Sequence, residues 1–310
     1  MDATNPSDGQ THAAASLNGD RTHLETAERV VSEFGTLTQA ESVSRRINSE
    51  TVMLIGWGPA ILMQFAHPLV AAGVADHSAF ATTPTPATRL RRLHGTLSAM
   101  LDITFGTPEQ VARATEGINR IHDYVHGHLG ETVGVFSAGT WYSAHDPELL
   151  RWVHATLSFC LPRTYELYVG PLTEEEKDRY CLEASLAAPL LGIPENYLPT
   201  NWAELEEYIE RMVASGQIAV GRDARELAHE LLSPLYPRVL WPLYWPARLA
   251  MFGVLPPSIR QAYGFPWSEG HERALRSSAA LVRYTLPVLP SLVRHWPAAR
   301  RFGRSHGSAG

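Results

Sequence analysis

Between two polar ends, apolar residues recur at three- and four-residue steps through almost the whole chain, the spacing of one face of an α-helix. Ile61, Leu62, Phe65, Leu69 and Val70 mark one such stretch from Pro59 to about His77. A second runs from about Pro86 to Ile103 and stops before Gly106. Later stretches open on side chains that can satisfy the free N–H groups of a first helical turn. Thr107 precedes Pro108 and Gln110 and starts a helix reaching about Val125; Asp146 precedes Pro147 and Glu148. Thr173 starts a run that closes at Gly192, Thr200 or Asn201 starts the next, and GRDARELAHELLSP ends at Pro234. Strand signals are few; Gly134 to Ala144 reads as a short hairpin or an ordered loop. No internal repeat and no long linker divides the chain. The pattern predicts a single all-α domain over residues 21–298, with about ten helices. Residues 1–20 and 299–310 are polar or Gly/Ser-rich and read as a disordered leader and tail.

The chain has fourteen histidines and two cysteines. That excludes a disulfide-built scaffold, four-cysteine zinc modules and cysteine-ligated iron–sulfur clusters. Any metal would be held by imidazole or carboxylate. Basic residues number 26 against 32 acidic ones, a net charge of −6, and Lys177 is the only lysine. The arginines form no patch in the sequence, so nucleic acid is not an expected partner. The first twenty residues lack the basic start and apolar run of a secretory signal, and a cytoplasmic location is expected. No stretch approaches the ~20 uninterrupted apolar residues of a membrane span. Leu235 to Pro257 comes nearest, but Arg238, Arg248 and several prolines interrupt it. It reads as a core element, or else as a surface touching a membrane around Trp241 and Trp245.

No dinucleotide-binding glycine motif, phosphate-binding loop, HExxH or nucleophile elbow occurs. What remains is a set of histidines and acids on apolar helices. Glu226 and His229 have the spacing that di-iron bundles use in pairs, but no second copy exists, so a solvated polar face is the simpler reading. His122 and His126 stand four apart and share a helix face, yet no third ligand is obvious nearby. His122 lies in the stripe of Ile118, Ile121 and Val125, where a hydrogen-bonded core histidine competes with a ligand. AHPLVAAGVADHSAF is rich in small residues that let a helix or a flat cofactor approach closely. It carries His67, Asp76 and His77. Asp76 on its rim is either a catalytic acid or a partner of Arg89 or Arg92. Arg89, Arg92 and Thr96 share one helical face, and Arg91 reads as solvated.

AHPLVAAGVADHS, RLHGT with the following LSAMLDITFGT, INRIHDYVHG and YSAHDPELLRWVHATL together resemble, in this order, the family of rubber (latex-clearing) oxygenases and MpaB-type oxygenases. The likeness spans roughly Glu50 to Pro266. The resemblance implies a globin-like all-α core that binds haem b, with dioxygen cleaving isoprenoid double bonds to carbonyl products. It implies that His122 is the proximal iron ligand. It matches Arg92 and Thr96 to distal-side residues and places Asp76, sixteen residues before Arg92, as a base. Gly95 falls where the rubber enzymes carry a distal lysine, so polymer cleavage by their route is not implied. The expected function is therefore a haem-dependent oxygenase acting on a hydrophobic, isoprenoid or otherwise unsaturated small molecule. The alternatives are a non-catalytic haem protein that binds a gas or stores haem, and a helical lipid-binding protein that has lost haem.

Overall fold

The computed structural model describes residues 22–33, 42–77, 86–233 and 241–306; the side chains of residues 86–89, 92, 241–244 and 303–306 fall outside that description. In chain order the helices are α1 (22–33), α2 (Val43–Ser49), α3 (Leu54–Phe65), α4 (Pro68–His77), α5 (Pro86–Phe105) and α6 (Pro108–His122). A hairpin of β1 (His126–His128) and β2 (Trp141–Ser143) follows. Then come α7 (Pro147–Tyr168), α8 (Glu174–Ser185), α9 (Trp202–Ala214), α10 (Arg222–Leu232), α11 (Trp241–Val254), α12 (Pro257–Ala262), α13 (Glu269–Thr285), α14 (Ser291–Arg294) and α15 (Pro297–His306). The fold is all-α apart from the two short strands.

The capping signals form as local chemistry dictates. Gln110 accepts the Thr107 N–H at 2.9 Å, Asp146 accepts from the Glu148 N–H at 2.9 Å, and Asn201 accepts from the Glu204 N–H at 2.9 Å. Thr173 and Glu176 form a reciprocal capping box at the start of α8. That helix stops at Ser185, and the run to Gly192 finishes as a 3-10 turn (Ala188–Leu191) that Gly192 closes at φ +85°.

Three expectations change. The stretch from Pro59 to His77 is two helices, α3 and α4, bent by 104° at Ala66 and His67. Pro68 has no N–H to donate and disfavours helical backbone at His67, so the chain turns there. The helix expected to reach Val125 ends at His122. His126 therefore lies on β1 and shares no helix face with His122, which removes the paired-ligand arrangement. The C-terminal segment from 299 continues α15, with Ala299 and Phe302 buried against Phe105 of α5. The hairpin itself pairs His126 with Ser143, Gly127 with Tyr142 and His128 with Trp141, so it begins upstream of Gly134.

α3 and α7 form the buried axis, flanked by α9, α10 and α11. Gly56 permits the close approach: a Cβ there would lie 2.7 Å from Thr164 Oγ1 of α7, inside any real contact distance. Trp152, Leu62, Met63, Leu205 and Ile259 fill the interior almost without exposure. α11 packs on this axis through Leu249 and Ala250, so the later part of the apolar stretch is core, whereas Trp245 is exposed; the start of the stretch, up to 240, lies outside the described residues. No single described helix is long and apolar enough to cross a membrane.

Two buried acids tie remote segments together. Glu183 of α8 accepts from Ser42 Oγ and Ser44 N, both at 2.8 Å, and so caps α2 from another helix. Glu50 takes both Arg294 Nε and Nη2, at 2.9 and 2.6 Å, and fastens α14 beside α2.

Candidate active site

α5 and α6 are joined by two residues, Gly106 and Thr107, and pack side by side as antiparallel neighbours. Counted back from that turn, Arg92 on α5 is level with Ile121 on α6, one residue from His122, and Thr96 is level with Gly117. The backbone thus brings the arginine and threonine positions alongside the helix that ends in His122. The side chain of Arg92 lies outside the described residues; Thr96 and Gly95 are exposed, and Arg91 is exposed as expected. A Cβ at Gly95 or Gly117 would meet no atom within 4 Å, so this face of the helix pair has open space. Leu90, Ile121 and Tyr124 are exposed beside it.

His122 is half-buried, and its Nδ1 is shielded from solvent without a hydrogen-bond partner among the described residues. Burial lowers its pKa, the neighbouring His145 lowers it further, and Asp123 partly opposes both. The imidazole is therefore neutral at pH 7, with nitrogen lone-pair density to offer. His145 stands edge-on to it, ring centres 5.9 Å apart, and pairs through Nε2 with Asp123 Oδ1 at 2.8 Å. Among the described residues no group of three or more His, Cys, Asp or Glu could hold a metal ion. Any metal here would need most of its coordination from a cofactor, with His122 supplying one nitrogen.

Asp76 ends up near this corner through the hairpin. The Tyr142 hydroxyl, buried under α4, donates to Asp76 Oδ2 at 2.5 Å. Burial and the Asp76 carboxylate both raise the Tyr142 pKa, so the phenol stays protonated. Gly127 makes the arrangement possible, since a Cβ there would sit 2.6 Å from the Tyr142 oxygen. A Cβ on Gly73 of α4 would likewise crowd Val125 at 3.2 Å. One residue on, His77 Nε2 bonds the carbonyl of His126 at 2.9 Å. The end of α4 is thus stapled to the segment that immediately follows His122.

The remaining histidines separate by environment. His94, His128 and His229 are exposed, as is Glu226, in line with a solvated polar face. His154 is a satisfied core histidine: Nε2 meets Ala184 O at 2.9 Å and Nδ1 meets Ser158 Oγ at 3.3 Å. His67 is 2% exposed, its Nδ1 has no partner among the described residues, and burial pushes its pKa down to about 4. His154 also lines a mainly apolar cavity of about 100 Å³ with Trp57, Leu97, Met100, Leu161 and Tyr180. None of Asp76, Thr96 and His122 lines it.

Sequence reasoning missed Tyr142 and His145. Tyr142 could have been found from its register, because the alternation of exposed Trp141 and buried Tyr142 turns it inward. Nothing local marks His145, whose partners come from the end of α6.

A family model described as the ER-bound oxygenase mpaB/B′/rubber oxygenase catalytic domain matches residues 44–284. No curated protein and no solved structure matches the sequence.

Proposed function

The chain belongs to the mpaB/rubber oxygenase catalytic-domain family, and from that membership we propose that it is a haem b-dependent oxygenase. Its substrate is a hydrophobic small molecule, isoprenoid or otherwise unsaturated, and its oxidant is dioxygen. The observation that carries the cofactor assignment is His122: a half-buried imidazole, pushed by burial toward its neutral form, with neither ring nitrogen hydrogen-bonded among the described residues. A ring nitrogen that reaches the surface, Nε2 rather than the shielded Nδ1, would serve to hold a haem iron. Haem, when bound, supplies the dioxygen and redox chemistry that side chains lack.

The chain's own groups then have distinct tasks. His122 binds the iron, and its neighbours His145 and Asp123 bias the ring toward its neutral form or oppose that bias. Arg92 and Thr96, at positions alongside on α5, would supply a guanidinium and a hydroxyl as hydrogen-bond donors to the bound group. Asp76 holds a proton acceptor at Oδ1 while Oδ2 is fixed by Tyr142, which makes it the group able to move a proton. The open apolar surface of Leu90, Ile121 and Tyr124 suits a substrate with little polarity. Cleavage of one carbon–carbon double bond by one dioxygen gives two carbonyl groups and consumes no further reductant.

A second reading, a haem protein without turnover, rests on Gly95, where a bare backbone stands at the position of the rubber enzymes' distal lysine. Oxygen uptake by the haem-loaded protein with a panel of terpenoids, with carbonyl products followed by mass spectrometry, separates the two. Substrate-dependent uptake with carbonyl products supports the oxygenase. Haem binding without uptake for any substrate supports the binder.

A further inference from the structure

From Arg273 onward the sequence contains seven arginines and no acidic residue, whereas the first 272 residues hold nineteen basic against thirty-two acidic ones. A chain with a net charge of −6 therefore ends in a strongly cationic segment. The same segment exposes large apolar side chains. Leu281 is 64%, Tyr284 84%, Val288 79% and Leu292 73% exposed.

Leu281, Tyr284 and Val288 follow one face, at i, i+3 and i+7 along α13 and the 3-10 turn that continues it (Leu286–Val288), while Leu292 lies on α14, beyond extended backbone at Leu289 and Pro290. The opposite face of α13 is already used. Leu275, Ala279 and Val282 pack toward α7 and α11, with Leu286 buried just beyond. α13 is thus apolar on two sides, and among the described residues only the inner side is covered. Arg273, Arg276 and Arg283 emerge between the two faces and are exposed. Glu272 pairs with Arg276, Arg283 donates to the Glu166 and Leu167 carbonyls, and Glu50 neutralises Arg294. Arg273 and Arg301 are exposed as well. Leu281 and Tyr284 lie within the family-matched region, and Val288 and Leu292 lie beyond it.

We propose that this surface, centred on Leu281, Tyr284 and Val288 with Leu292 on the next helix, and bordered by arginines, docks the protein peripherally on an anionic lipid bilayer. An apolar strip with a cationic border inserts into the acyl boundary while the arginines meet lipid phosphates. A protein partner would need acidic groups around an apolar groove; the bilayer offers both requirements over an unbroken plane. The proposal stands independently of the oxygenase reading.

The test is co-sedimentation of the whole protein with vesicles of phosphatidylcholine alone or mixed with phosphatidylglycerol. Binding is expected only to the anionic vesicles, weakening as ionic strength rises. Tyr284→Glu with Leu292→Glu, both at exposed positions, abolishes it. Arg273→Gln and Arg276→Gln each weaken it by about fivefold, the worth of one arginine near a charged surface. The arginine variants keep the test decisive if the glutamate pair proves poorly folded by circular dichroism. Failure to sediment with anionic vesicles overturns the proposal, as does binding that survives both sets of substitutions. A dimer in light scattering that Tyr284→Glu with Leu292→Glu converts to monomer also overturns it, by assigning the face to a second copy of the chain.

Discussion

Tyr142 donates its hydroxyl to Asp76 at 2.5 Å, a bond between residues 66 apart that fastens the last turn of α4 to β2. It sets one oxygen of the carboxylate, and among the described residues the other has no hydrogen-bond partner. It also fixes where α4 ends relative to the segment following His122.

Tyr142→Phe is expected to cost about 1 kcal/mol in urea unfolding, below the usual worth of a hydrogen bond to a charged group because Asp76 is exposed. The larger effect falls on function. If Asp76 moves a proton during turnover, Asp76→Asn lowers oxygen uptake by tenfold or more, in line with loss of an acid–base group, while haem content stays unchanged. A loss of haem in Asp76→Asn would mark the residue as structural instead.

Stability is expected to fall as pH drops below about 6.5, the ordinary histidine value. The fold holds His67 neutral down to about pH 4, whereas the unfolded chain protonates it near its normal value. Between those limits the unfolded state binds more protons and is favoured by acid. By pH 5 the loss from this one residue is about 2 kcal/mol. His122 and His154 are shifted downward as well and act in the same direction. His67→Leu should flatten the slope of unfolding free energy against pH in that window, with denaturant midpoints as the measurement. An unchanged slope would remove His67 from the account.

Glu183→Ala should destabilise the protein by about 3 kcal/mol, since it strips the start of α2 of its acceptor and leaves the Ser44 N–H buried. Glu183→Gln keeps one acceptor oxygen and should recover part of the loss. Thermal denaturation of the two variants side by side checks the order.

Much of the helical plan was legible because caps are local. Thr107, Asp146, Thr173 and Asn201 each bond a group two or three residues away, so the signal and its partner lie in one window. The α3–α4 bend was equally local, at Pro68, but an unbroken apolar spacing masked it. The site was less legible for a physical reason. The spacing of His122 and His126 implies one helix face only while the helix lasts, and backbone pairing with Ser143 takes His126 into a strand. The bonds Tyr142–Asp76 and His77–His126 join segments dozens of residues apart and leave no periodic trace. His122 carries no spacing signal of its own; the ordered set of motifs singled it out, and burial with an unpartnered nitrogen gives that choice its physical content.

The central claim is that His122 ligates haem iron, and the direct measurement is the ultraviolet–visible spectrum with a pyridine-haemochrome assay of protein produced with haem precursor. The wild-type chain should show a Soret band and a stoichiometric amount of haem b. His122→Ala should lose most of that haem while keeping its helical circular-dichroism signal. A His122→Ala protein with the wild-type spectrum and haem content, or a wild-type protein that binds no haem, would contradict the account.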